Sequence, residues 1–204
     1  MHKKRYNDSY FELNYHLKLF IYVEKQSEME NQKFTSYLNS LSQWMLYYGF
    51  QEIPLTPEYQ IDKVFTRSRA EVTKFSQCAT YCFIKYVKEG VDGNWLAAYS
   101  SNMYTFAYQH RQGMPVGIGA SLVVYPLLVM ENVNQEIVNF LYGYQPKHYS
   151  AFEFPSILDL QSNNLYFMPN TPVWGALFYK GFREEVYKFF SSKSWTEVSQ
   201  RLQR

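Results

Sequence analysis

The chain has 204 residues, of which 47% are hydrophobic and 19% are charged, and its formal net charge at pH 7 is +2. This composition excludes a disordered chain, because it supplies enough apolar surface to build a core of ordinary size. The weak net charge argues against a nucleic-acid-binding surface spread over the whole molecule, so we do not expect nucleic acid as a partner.

The N-terminal region shows two patterns. Residues 1–9 are predicted to form a basic tail, and residues 10–204 a single globular domain. Apolar side chains then occupy every odd position from Phe11 to Val23, while most even positions are polar. This alternation predicts a strand with one buried face. The tail lacks the apolar run and cleavage site of a secretory signal, so we expect a soluble cytoplasmic protein.

The first predicted helix begins at a capping-box pattern, Ser27 followed by Glu30, and ends at Gly49. The apolar residues at helical spacing within it are Phe34, Tyr37, Leu38, Leu41, Trp44, Met45 and Tyr48. Two prolines then predict a connecting loop over residues 50–66.

A second capping-box pattern, Ser68 followed by Glu71, predicts a helix over residues 68–89. One side of this predicted helix carries a set of mostly cationic residues that we call the basic stripe. Its members are Arg67, Lys74, Tyr81, Lys85 and Lys88. We interpret the stripe either as a docking face for an acidic partner or a phosphate backbone, or as the solvated side of an ordinary amphipathic helix.

The two cysteines, Cys78 and Cys82, lie four residues apart within the second predicted helix. Two cysteines on one helix do not build a disulfide framework, and we interpret them as small core residues. The histidines at positions 2, 16, 110 and 148 show no tandem spacing typical of metal ligands. We therefore expect no metal and no cofactor.

The middle of the chain holds its longest apolar run. Residues 92–111 before it fit either a helix or a hairpin, because their aromatic content suits both, and we favour the helix. The apolar run lies between Gly113 and Glu131, and Leu122–Met130 has neither charge nor alternation. This pattern predicts a strand covered on both faces. The run is too short to span a bilayer, and Pro126 interrupts it.

The C-terminal half predicts further elements around this central strand. A helix over residues 134–142 leads to a second strand over 148–160, and the connection is long enough for a parallel pair with a right-handed crossover. Two asparagines then predict a hairpin turn into a short strand at 165–168. A helix over 176–190 and a final segment with a capping box at Ser194 complete the chain.

The loop before the central strand holds glycines at 113, 117 and 119, directly after His110 and Arg111. A phosphate-binding loop has to follow a strand and open a helix, and this order is reversed here. We therefore interpret His110 and Arg111 either as donors to a carboxylate or phosphate, or as part of a structural loop. If the loop folds toward the start of the second strand, a ligand site could form from His110, Arg111, Glu131, His148 and Asp159.

Aromatic residues make up 20% of the chain and include 20 tyrosines. Either they form a Tyr-rich surface that contacts another molecule, or they build a large core with Tyr at its margin. Trp174 follows two prolines and precedes a glycine, where it is a candidate interface anchor or a plug at the edge of the core.

We predict a single α+β domain with a mixed sheet of three to five strands and three main helices, near residues 27–49, 68–89 and 176–190. The aromatic content and the lack of a catalytic motif favour a non-enzymatic interaction or assembly domain that binds another protein or a second copy of itself. The alternative is a small-molecule-binding protein or an enzyme with its site around the Gly-rich loop at 110–119.

Overall fold

The computed structural model describes residues 32–54, 60–71, 76–88, 90–173 and 177–203. The chain divides into two compact units, Met1–Leu38 and Asn39–Arg204. Helix α1 spans residues 32–47, which confirms the first predicted helix over that range, and everything described below belongs to the second unit. The predicted tail at 1–9, the predicted strand at 11–23 and the first capping box lie outside the described residues.

Seven strands form one mixed sheet in the described part of the chain. They are β1 (Gln51–Glu52), β2 (Lys63–Glu71), β3 (Ser76–Tyr86), β4 (Ala120–Met130), β5 (Ala151–Glu153), β6 (Ser156–Asp159) and β7 (Asn164–Phe167). The strand order is β1-β2-β3-β4-β6-β7, and β5 pairs with the first part of β4. β3 to β6 run parallel, whereas β1, β2 and β7 pair antiparallel with their neighbours.

β4 is the centre of this sheet, because it pairs with β3 on one side and with β5 and β6 on the other. Every residue from Leu122 to Met130 is buried, which confirms the predicted central strand. The break between β5 and β6 falls opposite Tyr125 and Pro126, so pairing on that side lapses there. A proline has no N–H for a ladder bond, and this lapse is where a central strand tolerates one.

Four further helices pack around the sheet. They are α2 (Gly93–His110), α3 (Gln135–Gly143), α4 (Tyr179–Phe190) and α5 (Ser192–Leu202). On one face of the sheet, which we call the α2 face, Leu96 and Ile137 share a core with Val124. On the opposite α4 face, the rings of Tyr125 and Phe182 lie 6.3 Å apart. Consecutive residues of β4 therefore face different helices, and the strand is covered on both sides.

The prediction of a helix over residues 68–89 is wrong. β2 and β3 form an antiparallel hairpin there, and Ser68 lies inside β2 rather than at a helix N-terminus. Tyr81 faces the α2 side while Cys82 faces the α4 side, and both are buried. A strand covered on both faces has no alternation, so its apolar run resembles that of a buried helix, and the capping-box pattern decided the prediction wrongly.

Several other predicted elements are confirmed with shifted boundaries. The ambiguous segment at 92–111 is helix α2, where Asp92 Oδ1 accepts a hydrogen bond from the Trp95 backbone N–H at 2.7 Å. The helices predicted over 134–142 and 176–190 are α3 and α4. The predicted turn into β7 is also present, and Asn163 adopts the positive φ expected there, at 54°.

Three boundaries were predicted wrongly. β1 and the start of β2 lie in the predicted loop over 50–66. The strand predicted over 148–160 is two strands, β5 and β6, and Pro155 between them has no N–H to donate to a neighbouring strand. Ser194 lies inside α5, which begins at Ser192, so it caps no helix. The α+β class and the mixed sheet are confirmed, but the described residues contain seven strands and five helices.

Two tyrosine hydroxyls are buried in the centre of the fold, and burial raises the pKa of each well above its usual value. The Tyr99 hydroxyl lies 3.3 Å from the carbonyl oxygens of both Phe83 and Leu127, to which it donates. The Tyr125 hydroxyl donates to the Glu185 carboxylate at 2.5 Å. Both phenols are therefore held in the neutral form by the folded chain.

We expect the free energy of unfolding to fall steeply above pH 10. The folded chain keeps these two protons where the unfolded chain loses them, so their contribution is complete below the ordinary tyrosine pKa of 10.0 and is lost as pH rises through the raised values. Each phenol adds a slope of about 1.4 kcal/mol per pH unit. Urea unfolding at several alkaline pH values measures this slope. Tyr99→Phe should reduce it by the contribution of one phenol. An unchanged slope would contradict the statement that the folded chain keeps Tyr99 neutral.

Candidate functional site

A cleft of about 840 Å³ lies on the α2 face of the sheet, at the C-terminal end of α2. Its floor is the β2–β3 hairpin, with Thr66, Ser68, Gln77, Ala79 and Tyr81. One wall is the chain around β1, and the other is the end of α2 with Phe106, His110 and Gln112. A cleft of this volume accommodates a drug-sized molecule.

The floor of the cleft is mainly polar. Alternation along β2 places Thr66 and Ser68 on the α2 face, beyond the part of the sheet that α2 covers. Gln77 Nε2 donates a hydrogen bond to Ser68 Oγ at 2.7 Å, across the hairpin. Ser68 is exposed and Gln77 is half-buried, so both side chains can exchange this bond for one with a bound molecule.

Tyr81 is the most deeply buried residue of the floor and is 5% exposed. Burial raises the pKa of its hydroxyl, whereas a hydrogen bond with Thr66 and the positive charge of Arg111 lower it. The hydroxyl therefore keeps its proton at neutral pH and can donate it to a ligand.

The imidazole of His110 is held in one orientation. Its Nδ1 lies 2.9 Å from the Phe106 carbonyl oxygen, and the two rings stack with centroids 4.1 Å apart. A carbonyl oxygen can only accept a hydrogen bond, so Nδ1 carries the proton. Nε2 is then the ring atom through which His110 can interact with a molecule in the cleft.

The Gly-rich loop closes the same end of the cleft. Arg111 follows α2, and its Nη1 donates to the Met114 carbonyl oxygen at 2.5 Å while the guanidinium lies 5.6 Å from the centre of the Tyr108 ring. Gly113 adopts a φ of 99°. This φ favours glycine, and a Cβ at this position would lie 2.4 Å from Gln77 Oε1, so a larger residue would displace the Gln77 amide from the floor.

The five predicted ligand residues are not brought together. His110, Arg111 and His148 lie near the starts of β4 and β5, whereas Glu131 and Asp159 lie at the far ends of β4 and β6. β4 has 11 residues. Its length places the two groups roughly 30 Å apart. Only His110 lines the cleft, with Arg111 next to it in the chain.

The two distant carboxylates make other contacts. Glu131 is buried, and its Oε1 lies 3.5 Å from the Tyr86 hydroxyl, which donates to it. Asp159 Oδ1 accepts from the Gln161 backbone N–H at 2.9 Å, and Asp159 Oδ2 accepts from the Ser162 hydroxyl at 2.7 Å. These bonds stabilise the turn between β6 and β7, which gives Asp159 a structural role.

His148 belongs to a separate group that we call the Glu153 cluster, made of Tyr104, Tyr144, His148 and Glu153. His148 Nε2 lies 2.8 Å from Glu153 Oε2, and the Tyr144 hydroxyl donates to Glu153 Oε1 at 3.0 Å. The Tyr104 ring stacks on the imidazole with centroids 3.6 Å apart. Because the Glu153 side chain is only 1% exposed, this cluster ties the end of β5 through a buried carboxylate to His148, which stacks on Tyr104 of α2.

The basic stripe is not present on one surface, because its helix is a hairpin. Arg67 points to the α4 face and is 6% exposed, while Tyr81 points to the α2 face. Lys85 donates to the Gln60 carbonyl oxygen at 2.5 Å, and Lys88 is exposed beyond β3. The other two interface candidates, Lys74 and Trp174, lie outside the described residues.

The polar floor of the cleft was missed by the sequence reasoning. Thr66, Ser68 and Gln77 were assigned to the predicted loop and helix, so nothing placed them beside His110. The run of β-branched and aromatic residues Val64, Phe65 and Thr66 was a signal that favours a strand and could have placed Thr66 and Ser68 on it.

Within the described ranges, no group of three or more His, Cys, Asp or Glu side chains is arranged to hold a metal ion. None of the helices described combines the length and the apolar character that a membrane span needs. Comparison of the chain with models of protein families, with curated proteins and with solved structures gave no match.

Proposed function

We propose that the protein binds a small polar molecule in the cleft between α2 and the β2–β3 hairpin. The observation that supports this proposal is the cleft itself, whose volume of about 840 Å³ is lined by hydroxyl, amide and imidazole groups. A concave site with a few convergent polar groups is the usual form of a ligand site. His110, at the start of the Gly-rich loop, is one of the residues that line it.

The lining also has an apolar component that suits a ring or a short hydrocarbon part of the ligand. Ile53, Ala79 and Phe106 contribute apolar surface beside the polar groups of the floor. Apolar contact supplies most of the affinity of such sites, and hydrogen bonds select the orientation of the molecule. We therefore expect a ligand with an apolar part at the wall and polar groups toward Ser68 and Gln77.

Ser68→Phe tests this proposal, because a ring on the floor occupies the space of the ligand. A thermal-shift screen of polar metabolites on the wild-type chain would identify binders, since a ligand at a hundred times its Kd adds about 2.7 kcal/mol to stability. Calorimetric titration should then show binding to Ser68→Phe weakened at least about tenfold. Ser68 is exposed on its strand, so the free energy of unfolding should change by no more than about 0.5 kcal/mol.

Asn164→Phe is the matched control for this experiment. It also places a ring at an exposed strand position. This position is in β7, which lies at the opposite edge of the sheet from β1 and β2. Binding to this control should equal that of the wild-type chain. A ligand that binds Ser68→Phe as tightly as wild type would show that it occupies another site, and the proposal would be wrong.

Exposed apolar side chains around the Gly-rich loop favour a second candidate function, binding to another protein or to a second copy of the chain. Met114, Ile118 and Tyr149 are 53%, 67% and 83% exposed. The Tyr149 ring lies against Gly117, where a Cβ would come within 2.4 Å of it. Aromatic and Met side chains are enriched at interfaces. Sedimentation velocity over a range of concentrations tests self-association, which a constant sedimentation coefficient would contradict.

A further inference from the structure

We infer that the molecule bound in the cleft is uncharged and presents an amide-like edge, in which a hydrogen-bond donor lies beside an acceptor. The donor meets Nε2 of His110, and the acceptor meets the hydroxyl groups of the floor. Carboxamides and several nucleobases carry such an edge. This inference rests on the proposed ligand function of the cleft. It concerns the chemistry of the ligand, which the volume of the cleft alone does not determine.

The lining of the cleft is poor in charged groups. Among the described residues that line it, none is Asp, Glu or Lys, and Arg67 is the only arginine. The Arg67 guanidinium lies on the α4 face between the rings of Phe50 and Phe189, so it is engaged away from the cleft. A charged ligand would lose water in the cleft without meeting an opposite charge, which is costly. The lining therefore favours an uncharged molecule.

Two opposite influences act at the end of α2, next to the cleft. The backbone carbonyl oxygens of residues 108–110 have no hydrogen-bond partner among the described residues, because helical pairing ends with the bond from the Arg111 N–H to the Ala107 carbonyl oxygen. These carbonyls give the helix end a partial negative charge. Arg111 is positive, but it does not line the cleft, and its Nη1 is engaged with the Met114 carbonyl oxygen. The two influences oppose each other, so this end of the cleft selects neither an anion nor a cation.

His110 contributes an acceptor to the cleft. Its Nδ1 donates to the Phe106 carbonyl oxygen at 2.9 Å, so Nε2 of the neutral ring carries a lone pair and no proton. The imidazole stacks on the Phe106 ring with centroids 4.1 Å apart, which holds Nε2 in one place. The unpaired carbonyl oxygens at the helix end are further acceptors. A ligand at this end of the cleft therefore needs a donor, such as an amide N–H.

The floor of the cleft supplies the complementary donors. Ser68 Oγ accepts from Gln77 Nε2 at 2.7 Å, which leaves the Ser68 O–H free to donate. The Tyr81 hydroxyl is a second donor, on the most deeply buried residue of the floor. Ser68 lies two residues along β2 from Thr66, the cross-strand partner of Tyr81, so both donors face the same part of the cleft. A ligand carbonyl can accept from this floor while the N–H beside it donates to His110.

Probes of one shape that differ in charge or in donor test the inference. We would titrate benzamide, acetophenone, benzoate and benzamidinium into the full chain and follow binding by NMR. Acetophenone has a methyl group in place of the amide nitrogen, and the two ions place a negative or a positive charge at the same position. Benzamide should bind at least about threefold more tightly than each of the others, because it alone is uncharged and keeps the donor. Ser68→Phe should abolish the binding, which places it in the cleft.

A second pair distinguishes a nucleobase from a simple carboxamide. Adenosine and purine riboside differ only in the amino group that lies beside the acceptor N1 of adenine. If the ligand is a nucleoside, adenosine should bind at least about threefold more tightly, whereas a carboxamide ligand gives the preference in the benzamide series alone. The preference should appear in at least one of the two series. If no probe binds but a screened metabolite does, its analogue without the donor is compared in the same way.

His110→Phe separates the contact with the donor from the shape of the cleft. A phenyl ring can keep the stacking on Phe106 but has no Nε2, so the preference for the donor-bearing member should disappear. His110 is exposed, so folding should not change. Asn102→Phe is the matched control, because it places the same ring at another exposed position of α2, outside the lining. The preference should be unchanged in this control.

The outcomes separate the inference from the ligand function. Equal binding within both pairs, tightest binding of benzoate or benzamidinium, or a preference that survives His110→Phe would overturn the inference while the ligand function stands. A charged molecule from the metabolite screen that binds in the cleft would do the same. No cleft-dependent binding of any probe or screened metabolite would overturn both.

Discussion

Replacing Arg67 with alanine is expected to lower the free energy of unfolding by about 2–5 kcal/mol, as the truncation of a large buried side chain does. The guanidinium carbon lies 4.2 Å from the centre of the Phe50 ring and 5.2 Å from that of Phe189. Nη1 donates to the Tyr48 carbonyl oxygen at 3.0 Å, and Nη2 lies 3.7 Å from Glu185 Oε1. Alanine removes all four contacts and leaves a cavity between the rings.

Arg67→Met separates the packing of this side chain from its charge. Burial, and then the neighbouring charge of Arg69, lower the pKa of the Arg67 guanidinium, so the charge is only partly compensated by Glu185. Methionine has a similar volume, and replacing a buried ion with an apolar side chain is often neutral. Urea unfolding should show that methionine recovers most of the stability lost with alanine. If both variants lose the same amount, the charge rather than the packing stabilises this region.

Replacing Glu153 with alanine is expected to have the second large effect and to lower the free energy of unfolding by about 3–5 kcal/mol. The substitution removes the shared acceptor of His148 and Tyr144 from a position where only 1% of the side chain is exposed. Burial, followed by the charge of Glu153, raises the pKa of Tyr144, so that phenol stays a donor and would be left without its acceptor. Urea unfolding followed by circular dichroism measures the loss.

Two controls show whether the loss comes from the buried network. Glu153→Gln keeps an oxygen that can accept one hydrogen bond and should lose clearly less stability than Glu153→Ala. Glu184 lies in an exposed pair with Lys180, at 3.9 Å, and Glu184→Ala should change stability by about 0.5 kcal/mol or less. A loss for Glu153→Ala as small as that for Glu184→Ala would contradict the description of the Glu153 cluster as a buried network.

Elements with local signals could be predicted from the sequence. The turn between β6 and β7 follows from asparagines that tolerate a positive φ, and the start of α2 follows from the oxygen of Asp92 as an N-cap. The centre of the fold follows from the uncharged run of β4. In each case the decisive residues are neighbours in the chain, so their physical preferences are visible without knowledge of the tertiary fold.

The β2–β3 hairpin shows where this reasoning fails. The run from Tyr81 to Ile84 is apolar because helices cover both faces of β3, and that cause lies in distant parts of the chain. The pattern alone could not exclude a helix. Because the hairpin was predicted as a helix, the cleft could not be predicted either. Ser68 and Gln77 lie near His110 only when β2 and β3 pair as a hairpin. The sequence does draw attention to His110, because it adjoins the glycines that bend the loop, and His110 lies in the lining of the cleft.

The position of β4 also determines how its backbone amides exchange their hydrogens with water. It lies between paired strands on both sides, except opposite Tyr125 and Pro126, and helices shield both of its faces, so local fluctuations do not expose its amides to water. Deuterium should therefore enter residues 122–130 only through global unfolding, whereas the short outer strands β1 and β7 can exchange through small openings. The exchange rate of these central amides thus gives the free energy of global unfolding under native conditions, without denaturant.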